Sequence, residues 1–77
     1  MNIQDRVISM VSWEASISPR SISLTTSLKN DLNLDSIDLM LLILKLENWF
    51  NITLSNDDVE NIETVKDAHD YINKYLS

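Results

Sequence analysis

Cysteine and glycine are both absent from the sequence, and each absence excludes something. Without cysteine there is neither a disulfide framework nor a thiolate metal site, so any reactive thiol must come from outside the chain. Without glycine, a left-handed backbone position has to be taken by a residue such as Asn33 or Asn51. The single proline, Pro19, lies in a serine- and threonine-rich stretch, and we predict a long loop over residues 17–34.

Long apolar runs and basic side chains are also scarce. The longest apolar run, from Leu39 to Leu44, is far shorter than the roughly 20 residues that a membrane-spanning helix needs. Lysine and arginine together number 6 against 12 aspartate and glutamate residues, which gives a net charge of −6. Such a chain repels nucleic acid and anionic membranes and suits partners with basic patches. We therefore expect a cytoplasmic protein that binds other proteins, with no nucleic acid partner and no membrane span.

The length of the chain and the spacing of its apolar residues predict the fold. Seventy-seven residues form one core but not two, so we predict a single domain over residues 1–77. Apolar side chains recur at helical spacing in residues 3–15 and again in residues 36–50. A short helix after Ser55 and a last helix after Thr64 are predicted because each residue precedes an aspartate at capping-box spacing. The fold class is all-α: three main helices and one short helix, with a long first loop.

A serine stands at the predicted start of the second main helix. Asp35 fits the N-cap position, which places Ser36 at the first helical position with its hydroxyl free of any capping role. Backbone N–H groups at a helix N-terminus favour an anion, so a phosphate esterified to this hydroxyl would be stabilised. The alternative is a helix start with no further role. A catalytic serine is rejected, because the only histidine, His69, is expected near the surface and the glycines of a nucleophile elbow are missing.

The second main helix is apolar on two opposite faces when its residues are projected at about 100° per residue. One face is predicted to pack in the core and consists of Leu39, Leu42, Ile43, Leu46 and Phe50. The opposite face, which we call the outer stripe, consists of Ile37, Met40, Leu41 and Leu44. A chain this small cannot cover both faces, and we therefore expect part of the outer stripe to be exposed. Exposed apolar patches usually mark sites of interaction. The alternative is that the loop of residues 17–34 folds over it.

Further side chains are assigned to the core from their helical positions. Trp49 projects to the edge of the core face and is predicted to pack inside rather than to be an exposed anchor. In the last helix, the residues predicted to point inward are Val65, Ala68, Ile72 and either Tyr75 or Leu76.

Two segments of the chain resemble the acyl carrier protein family: DLNLDSIDLMLLILKLENWFNITL and IETVKDAHDYI. The family pattern is an Asp-Ser-Leu core, a second helix that ends in Glu-x-x-Phe, and a Thr-Val start to the last helix. Its counterparts in this sequence are Asp35-Ser36-Ile37, Glu47 with Phe50, and Thr64-Val65. The length, the acidity and the long first loop of the chain are similar to the family as well.

The resemblance implies that Ser36 carries covalent 4′-phosphopantetheine, transferred from coenzyme A by a separate magnesium-dependent phosphopantetheinyl transferase. The thiol of this arm would hold an acyl group as a thioester, which fits a chain without cysteine. The chain would then be a monomeric, non-catalytic carrier that serves an acyl synthetase, a ketosynthase or an acyltransferase of fatty-acid, polyketide or related synthesis. The acyl tail would enter an apolar cavity, for which the predicted lining is Leu46, Ile62 and Ala68.

The resemblance also suggests where partners bind. The residues expected to recognise them lie at the start and on the outer side of the second helix: Asp35, Ile37, Asp38, Met40, Leu41, Leu44 and Glu47. Leu41 stands where glutamate is common in the family, and Lys45 adds a positive charge. We infer a more apolar docking face, which fits a carrier for a dedicated pathway such as polyketide or modified-lipid synthesis.

Two alternatives remain open from the sequence. A D-alanyl or peptidyl carrier would share the fold and the serine chemistry, although the Gly-Gly-His or Gly-Gly-Asp usual in peptidyl carriers is missing. A helical adaptor that is never modified would need Ser36 only as part of a helix start.

Overall fold

A computed structural model describes residues 2–76 of the chain. Within this range the protein consists of four α-helices: α1 (Ile3–Ala15), α2 (Ser36–Phe50), α3 (Asn56–Glu60) and α4 (Val65–Leu76). A short 3₁₀ helix, Pro19–Ser21, interrupts the long connection between α1 and α2. The prediction of an all-α bundle with three main helices, one short helix and a long first loop is confirmed. None of the helices in the described range is long and apolar enough to cross a membrane.

The ends of α1 and α2 are fixed by polar side chains and by left-handed residues. The Asn2 side chain accepts a hydrogen bond from the Asp5 backbone N–H at 2.7 Å and so caps α1. Positive φ angles occur at Asn33 and Asn51, with φ of 57° at both, and also at Ser16. The prediction for the two asparagines is therefore confirmed, whereas Ser16 was not foreseen. Each takes a backbone conformation that glycine commonly supplies in other chains.

The starts of α3 and α4 follow the predicted capping pairs. The Ser55 hydroxyl accepts from the Asp58 backbone N–H at 3.0 Å, and the Asp58 carboxylate accepts from the Ser55 N–H at 3.2 Å. Thr64 and Asp67 repeat this exchange at 3.0 and 3.2 Å. The Ser55–Asp58 box explains how a helix as short as α3 can begin at a defined residue, and the Thr64–Asp67 exchange does the same for α4.

The apolar core draws on all three main helices and on the first loop. Helix α1 packs against both α2 and α4. The buried helical side chains are Val7, Val11, Leu42, Ile43, Leu46, Val65, Ala68 and Ile72, and the first loop adds Ile22, Leu28, Leu32 and Leu34. A fully buried leucine or isoleucine contributes about 1.5–3 kcal/mol to folding, so the loop stabilises the core as a helix would.

The first loop is also hydrogen-bonded to the start of α4. The Leu28 N–H donates to the Glu63 carbonyl at 2.9 Å, and Ser27 and Thr64 form an isolated bridge. The Val65 and Lys66 N–H groups, which have no partner inside α4, donate to loop carbonyls at 3.1 and 2.9 Å. The loop therefore caps α4, and the alternative that it folds over the outer stripe is wrong.

Three side chains that the sequence placed in or near the core are exposed. Trp49 is 53% exposed, and its ring packs under the Arg6 guanidinium of α1 at 4.1 Å instead of entering the core. Tyr75 and Leu76 are exposed because the last turn of α4 extends past the core. The Tyr75 hydroxyl reaches the Asp58 carboxylate instead, at 2.5 Å. Val65, Ala68 and Ile72 are buried, which confirms the prediction for these three residues.

Candidate functional site

Ser36 is the first residue of α2, and its side chain is exposed. Asp35 is the N-cap: its carboxylate accepts from the Asp38 N–H at 2.8 Å, and the Asp38 carboxylate accepts from the Asp35 N–H at 3.3 Å. The two aspartates thus satisfy each other, and the hydroxyl of Ser36 takes no part. Within residues 2–76 this hydroxyl has no hydrogen-bond partner. It is therefore available for reaction with an outside group.

Two backbone donors accompany this hydroxyl. Among the described residues, the N–H groups of Ser36 and Ile37 have no hydrogen-bond acceptor, as expected for the first turn of a helix. Together with the helix dipole, they favour a negatively charged group at this end of α2. The carboxylates of Asp35 and Asp38 oppose it, but both are turned toward each other's backbone by the capping box. A phosphodiester on Ser36 fits the donors present.

A groove of about 720 Å³ adjoins Ser36, and we call it the cargo groove. It lies between α2, α3 and the loop segment around residues 27–30. Its apolar lining is Leu39, Met40, Ile43, Leu44, Leu54, Val59 and Ile62, and its polar lining is Ser27, Lys29, Asn30, Ser36, Glu47, Asn56, Glu60 and Glu63. A lining of both apolar and polar side chains suits a flexible aliphatic ligand with a polar end.

The three side chains predicted to line a cavity have different positions. Ile62 lines the cargo groove. Leu46 and Ala68 are buried in the helical core and do not contact this groove. Leu54 and Val59 also line the groove but could not be identified from the sequence, because their position depends on how the segment after α2 folds back.

Glu47 holds that segment in place. Its carboxylate accepts a hydrogen bond from the Leu54 backbone N–H at 2.7 Å. The bond joins the last turns of α2 to the chain that leads into α3. Glu47 therefore shapes one wall of the cargo groove, in addition to the partner contact predicted for it.

The outer stripe is exposed, as predicted. Ile37 is 66% exposed and Met40 is 61% exposed, and Leu41 and Leu44 are exposed as well. Met40 and Leu44 also line the cargo groove, so the stripe forms one border of it. The stripe starts beside Ser36, because Ile37 is the next residue of α2. An exposed hydroxyl, a partly apolar groove and an exposed apolar surface therefore adjoin one another.

His69 does not form a catalytic pair with Ser36. Its Nδ1 lies 3.0 Å from the Asp70 carboxylate on α4, and no hydrogen bond joins it to Ser36 within residues 2–76. The same part of the chain contains no cluster of three or more histidine, aspartate or glutamate side chains that could hold a metal ion.

The short helix α3, which forms one wall of the cargo groove, is joined to α4 by a side-chain hydrogen bond. Asp58 is buried, and its carboxylate accepts the bond from the Tyr75 hydroxyl. This hydrogen bond is the main cause that lowers the pKa of Asp58 from its ordinary value of 3.8. The same bond, followed by burial, raises the pKa of Tyr75 from its ordinary value of 10.0.

Known proteins and a family model match this chain along most of its length. The family model described as the phosphopantetheine attachment site matches residues 5–72. An acyl carrier protein of Amoebophilus asiaticus is 33% identical over 75 residues, which cover 97% of this chain and 94% of the relative. An acyl carrier protein of Chlamydia trachomatis serovar D is 38% identical over 72 residues, which cover 94% of each.

Solved structures share the fold as well. The acyl carrier protein of Enterococcus faecalis has a TM-score of 0.81 and 36% identity, and the match covers 95% of this chain and 92% of that one. A Mycobacterium tuberculosis chain assigned as an acyl carrier protein has a TM-score of 0.89 and 28% identity, with coverage of 96% and 99%. The chain therefore belongs to the acyl carrier proteins, the phosphopantetheine-binding family in which acyl groups are carried on a covalently attached 4′-phosphopantetheine arm.

Proposed function

We propose that Ser36 is the residue to which the 4′-phosphopantetheine arm of this acyl carrier protein is attached. The observation that carries the proposal is an exposed hydroxyl with no partner in residues 2–76, next to the unbonded N–H groups of Ser36 and Ile37. The hydroxyl supplies the ester oxygen, and the two N–H groups face the phosphate that results. Bound in this way, the arm supplies the thiol that the sequence lacks, and that thiol holds acyl groups as thioesters.

A separate phosphopantetheinyl transferase makes the attachment in this proposal. The Ser36 Oγ attacks the phosphorus atom of coenzyme A that bears the pantetheine. A new P–O bond forms, the phosphoanhydride bond breaks, and 3′,5′-adenosine diphosphate leaves. The hydroxyl proton passes to a base on the transferase, because this chain has no histidine bonded to Ser36 within its described residues. We place the reaction in the cytoplasm, where coenzyme A is available.

The acyl tail of the cargo is proposed to lie in the cargo groove. Leu39, Ile43 and Ile62 offer it an apolar surface that begins near Ser36. Leu46 and Ala68 lie deeper in the core, so they would meet the tail only if the helices moved apart. Covering an aliphatic tail gains roughly 0.8 kcal/mol for each buried CH₂ group, which favours a groove over open solvent.

Loading with the arm tests the attachment site. Incubation with coenzyme A and a promiscuous phosphopantetheinyl transferase should raise the intact mass of the chain by one phosphopantetheine. Ser36→Ala should block the increase. Ser21→Ala is the matched control, since Ser21 is also exposed but lies in the 3₁₀ helix, and it should load fully. An unmodified adaptor would keep its mass unchanged in all three proteins.

We also propose that the outer stripe docks partner enzymes of a dedicated pathway. The reason is that Leu41 stands where glutamate is common in the family, so the docking face is more apolar. Leu41→Glu should weaken acyl transfer by the dedicated partner and improve transfer by a general fatty-acid acyltransferase, with Leu41→Met as the control that keeps the apolar contact. The measurement is the rate of acyl transfer to the loaded carrier. If neither rate changes in Leu41→Glu, the dedicated-pathway proposal is wrong.

A further inference from the structure

A second groove, of about 250 Å³, lies between α1 and α2. It is lined by Arg6, Ser9, Met10, Trp13 and Lys45. Lys45 lies on the side of α2 that faces α1, as its 2.8 Å ion pair with Glu14 shows. The cargo groove lies on the side of α2 that faces α3. We call the second groove the α1 groove, and a molecule bound in it would leave Ser36 accessible.

The α1 groove differs in charge from the rest of the molecule. Its lining contains two basic side chains and, among residues 2–76, no carboxylate, although the whole chain has 12 acidic and 6 basic residues. The cargo groove, in contrast, is lined by three glutamates and one lysine. Because Lys45 is paired with Glu14, the uncompensated positive charge of the groove is that of Arg6. In a protein of net charge −6, it marks a place where a partner's carboxylate is attracted rather than repelled.

Arg6 is the less satisfied of the two basic groups. Lys45 already has Glu14 as its partner. Arg6 lies over the Trp49 ring at 4.1 Å, but within the described residues no carboxylate is in ion-pair distance, and its buried Nε has no hydrogen-bond partner. A guanidinium donates most strongly to a carboxylate, with two parallel N–H···O bonds. A carboxylate from outside would pair with the terminal nitrogens of Arg6, because the buried Nε is out of its reach.

The α1 groove also offers an apolar surface. Trp13 is 81% exposed, the highest value among the large apolar side chains of the described chain. Arg6, Met10 and Trp13 recur at four- and three-residue spacing, which places them on one face of α1. Tryptophan and arginine are the residue types most enriched where protein partners make energetically important contacts.

We propose that the α1 groove binds a segment of a partner protein that presents an aspartate or glutamate next to a large apolar side chain. The apolar side chain packs on Trp13 and Met10, and the carboxylate pairs with Arg6. A second copy of this chain is the weaker occupant, because two molecules of charge −6 repel each other. The proposal concerns a surface distinct from Ser36 and does not depend on attachment of the arm.

The probe is a pair of blocked synthetic pentapeptides, Leu-Asp-Phe-Asp-Leu and its uncharged analogue Leu-Asn-Phe-Asn-Leu. Each is titrated into the full ¹⁵N-labelled chain while the indole N–H resonances of Trp13 and Trp49 are followed by NMR. The acidic peptide should give saturable shifts at both indoles, and the analogue should bind about threefold to fivefold more weakly, the upper range for one exposed ion pair. Equal shifts with both peptides, or shifts confined to the outer stripe, would overturn the proposal.

Variants separate the two parts of the contact. Arg6→Gln should reduce binding of the acidic peptide to the level of the analogue, whereas Arg20→Gln, which removes an arginine outside the groove, should not. Trp13→Ala should abolish the saturable shift at the remaining Trp49 indole without loss of helicity, because Trp13 is outside the core.

Ser36→Ala should bind both peptides as the unaltered chain does. Sedimentation that shows self-association abolished by Arg6→Gln would assign the groove to a second copy and contradict the proposal.

Discussion

At the scale of single residues, the chemistry of the site depends on a division of roles between neighbours. Asp35 supplies the N-cap, so the adjacent Ser36 is not needed for capping and its hydroxyl stays exposed. A serine at the cap position itself would have its oxygen engaged with a backbone N–H. The order Asp-Ser, rather than the presence of a serine, therefore makes the hydroxyl available.

Removal of the cap should destabilise the chain. Asp35→Ala removes the carboxylate that accepts from the Asp38 N–H, while the backbone N–H at position 35 keeps the Asp38 carboxylate as its acceptor. Loss of this cap should lower the free energy of unfolding by about 1 kcal/mol. For a domain of this size, that loss lowers the melting temperature by roughly 4–8 °C, measured by circular dichroism. Glu63→Ala is the control, since the Glu63 side chain makes no hydrogen bond or ion pair within residues 2–76. Equal melting temperatures for the two variants would contradict the capping account.

The Asp58–Tyr75 bond predicts how stability depends on pH. Because the pKa of Asp58 is lowered in the folded chain, its contribution is present above its ordinary value of 3.8 and is lost as pH falls through the folded pKa. Because the pKa of Tyr75 is raised, its contribution is present below its ordinary value of 10.0 and is lost as pH rises through the folded pKa. Between these limits the bond should hold α3 against α4.

Tyr75→Phe tests this bond, because it removes the hydroxyl and keeps the aromatic ring. The variant should increase amide hydrogen exchange in α3 at neutral pH. Its free energy of unfolding should also fall less steeply than that of the unaltered chain in acid and in strong base. Tyr71→Phe is the matched control on the same helix, because no hydrogen bond of the Tyr71 hydroxyl is found in the described chain. Unchanged exchange in α3 would mean that the bond does not restrain it.

At the scale of the elements, helices and loop differ in how well the sequence predicts them. The bounds of α1 and α2 follow from apolar periodicity together with caps such as Asn2 and Asp35, all of which are local signals. The first loop has no such period. Its leucines were predicted to need burial, but their place in the core depends on distant partners such as Glu63 and Val65.

The same distinction applies to the site. Ser36 and the outer stripe could be identified from the sequence, because the position of a residue along a single helix determines whether its side chain is exposed. The position of Trp49 could not, since its ring contacts Arg6, a residue of another helix that is distant in the sequence. Likewise, Ile62 lines the cargo groove whereas Leu46 is fully buried in the core, and that difference depends on how the elements pack rather than on spacing along one helix.

A loop that forms part of the core should be as sensitive to truncation as a helix. Leu28 is 1% exposed, so Leu28→Ala should lower the free energy of unfolding by about 2–5 kcal/mol, much of the stability of so small a domain. Leu44→Ala removes the same atoms from the exposed outer stripe and should change it by less than about 0.5 kcal/mol. Chemical denaturation measures both. Similar values for the two variants would mean that the loop is not part of the core.

At the scale of the whole molecule, helix α2 organises the surface. Its N-terminus presents Ser36, the side toward α3 forms the cargo groove, the side toward α1 borders the α1 groove, and the outer stripe lies between them. In our proposal one helix serves a covalent arm, a cargo and partners, and Met40 and Leu44 belong to both the cargo groove and the outer stripe. The core face is buried by α1 and by the first loop, which leaves the other faces free.

The most direct test of the account is the position of the arm on the loaded chain. After treatment with coenzyme A and a phosphopantetheinyl transferase, the protein is digested and the modified peptide is sequenced by tandem mass spectrometry. The account predicts a single phosphopantetheine on Ser36, in the peptide that contains Asp35 and Ile37. An arm on any other residue, or a chain that stays unmodified while a known acyl carrier protein loads in the same reaction, would contradict it.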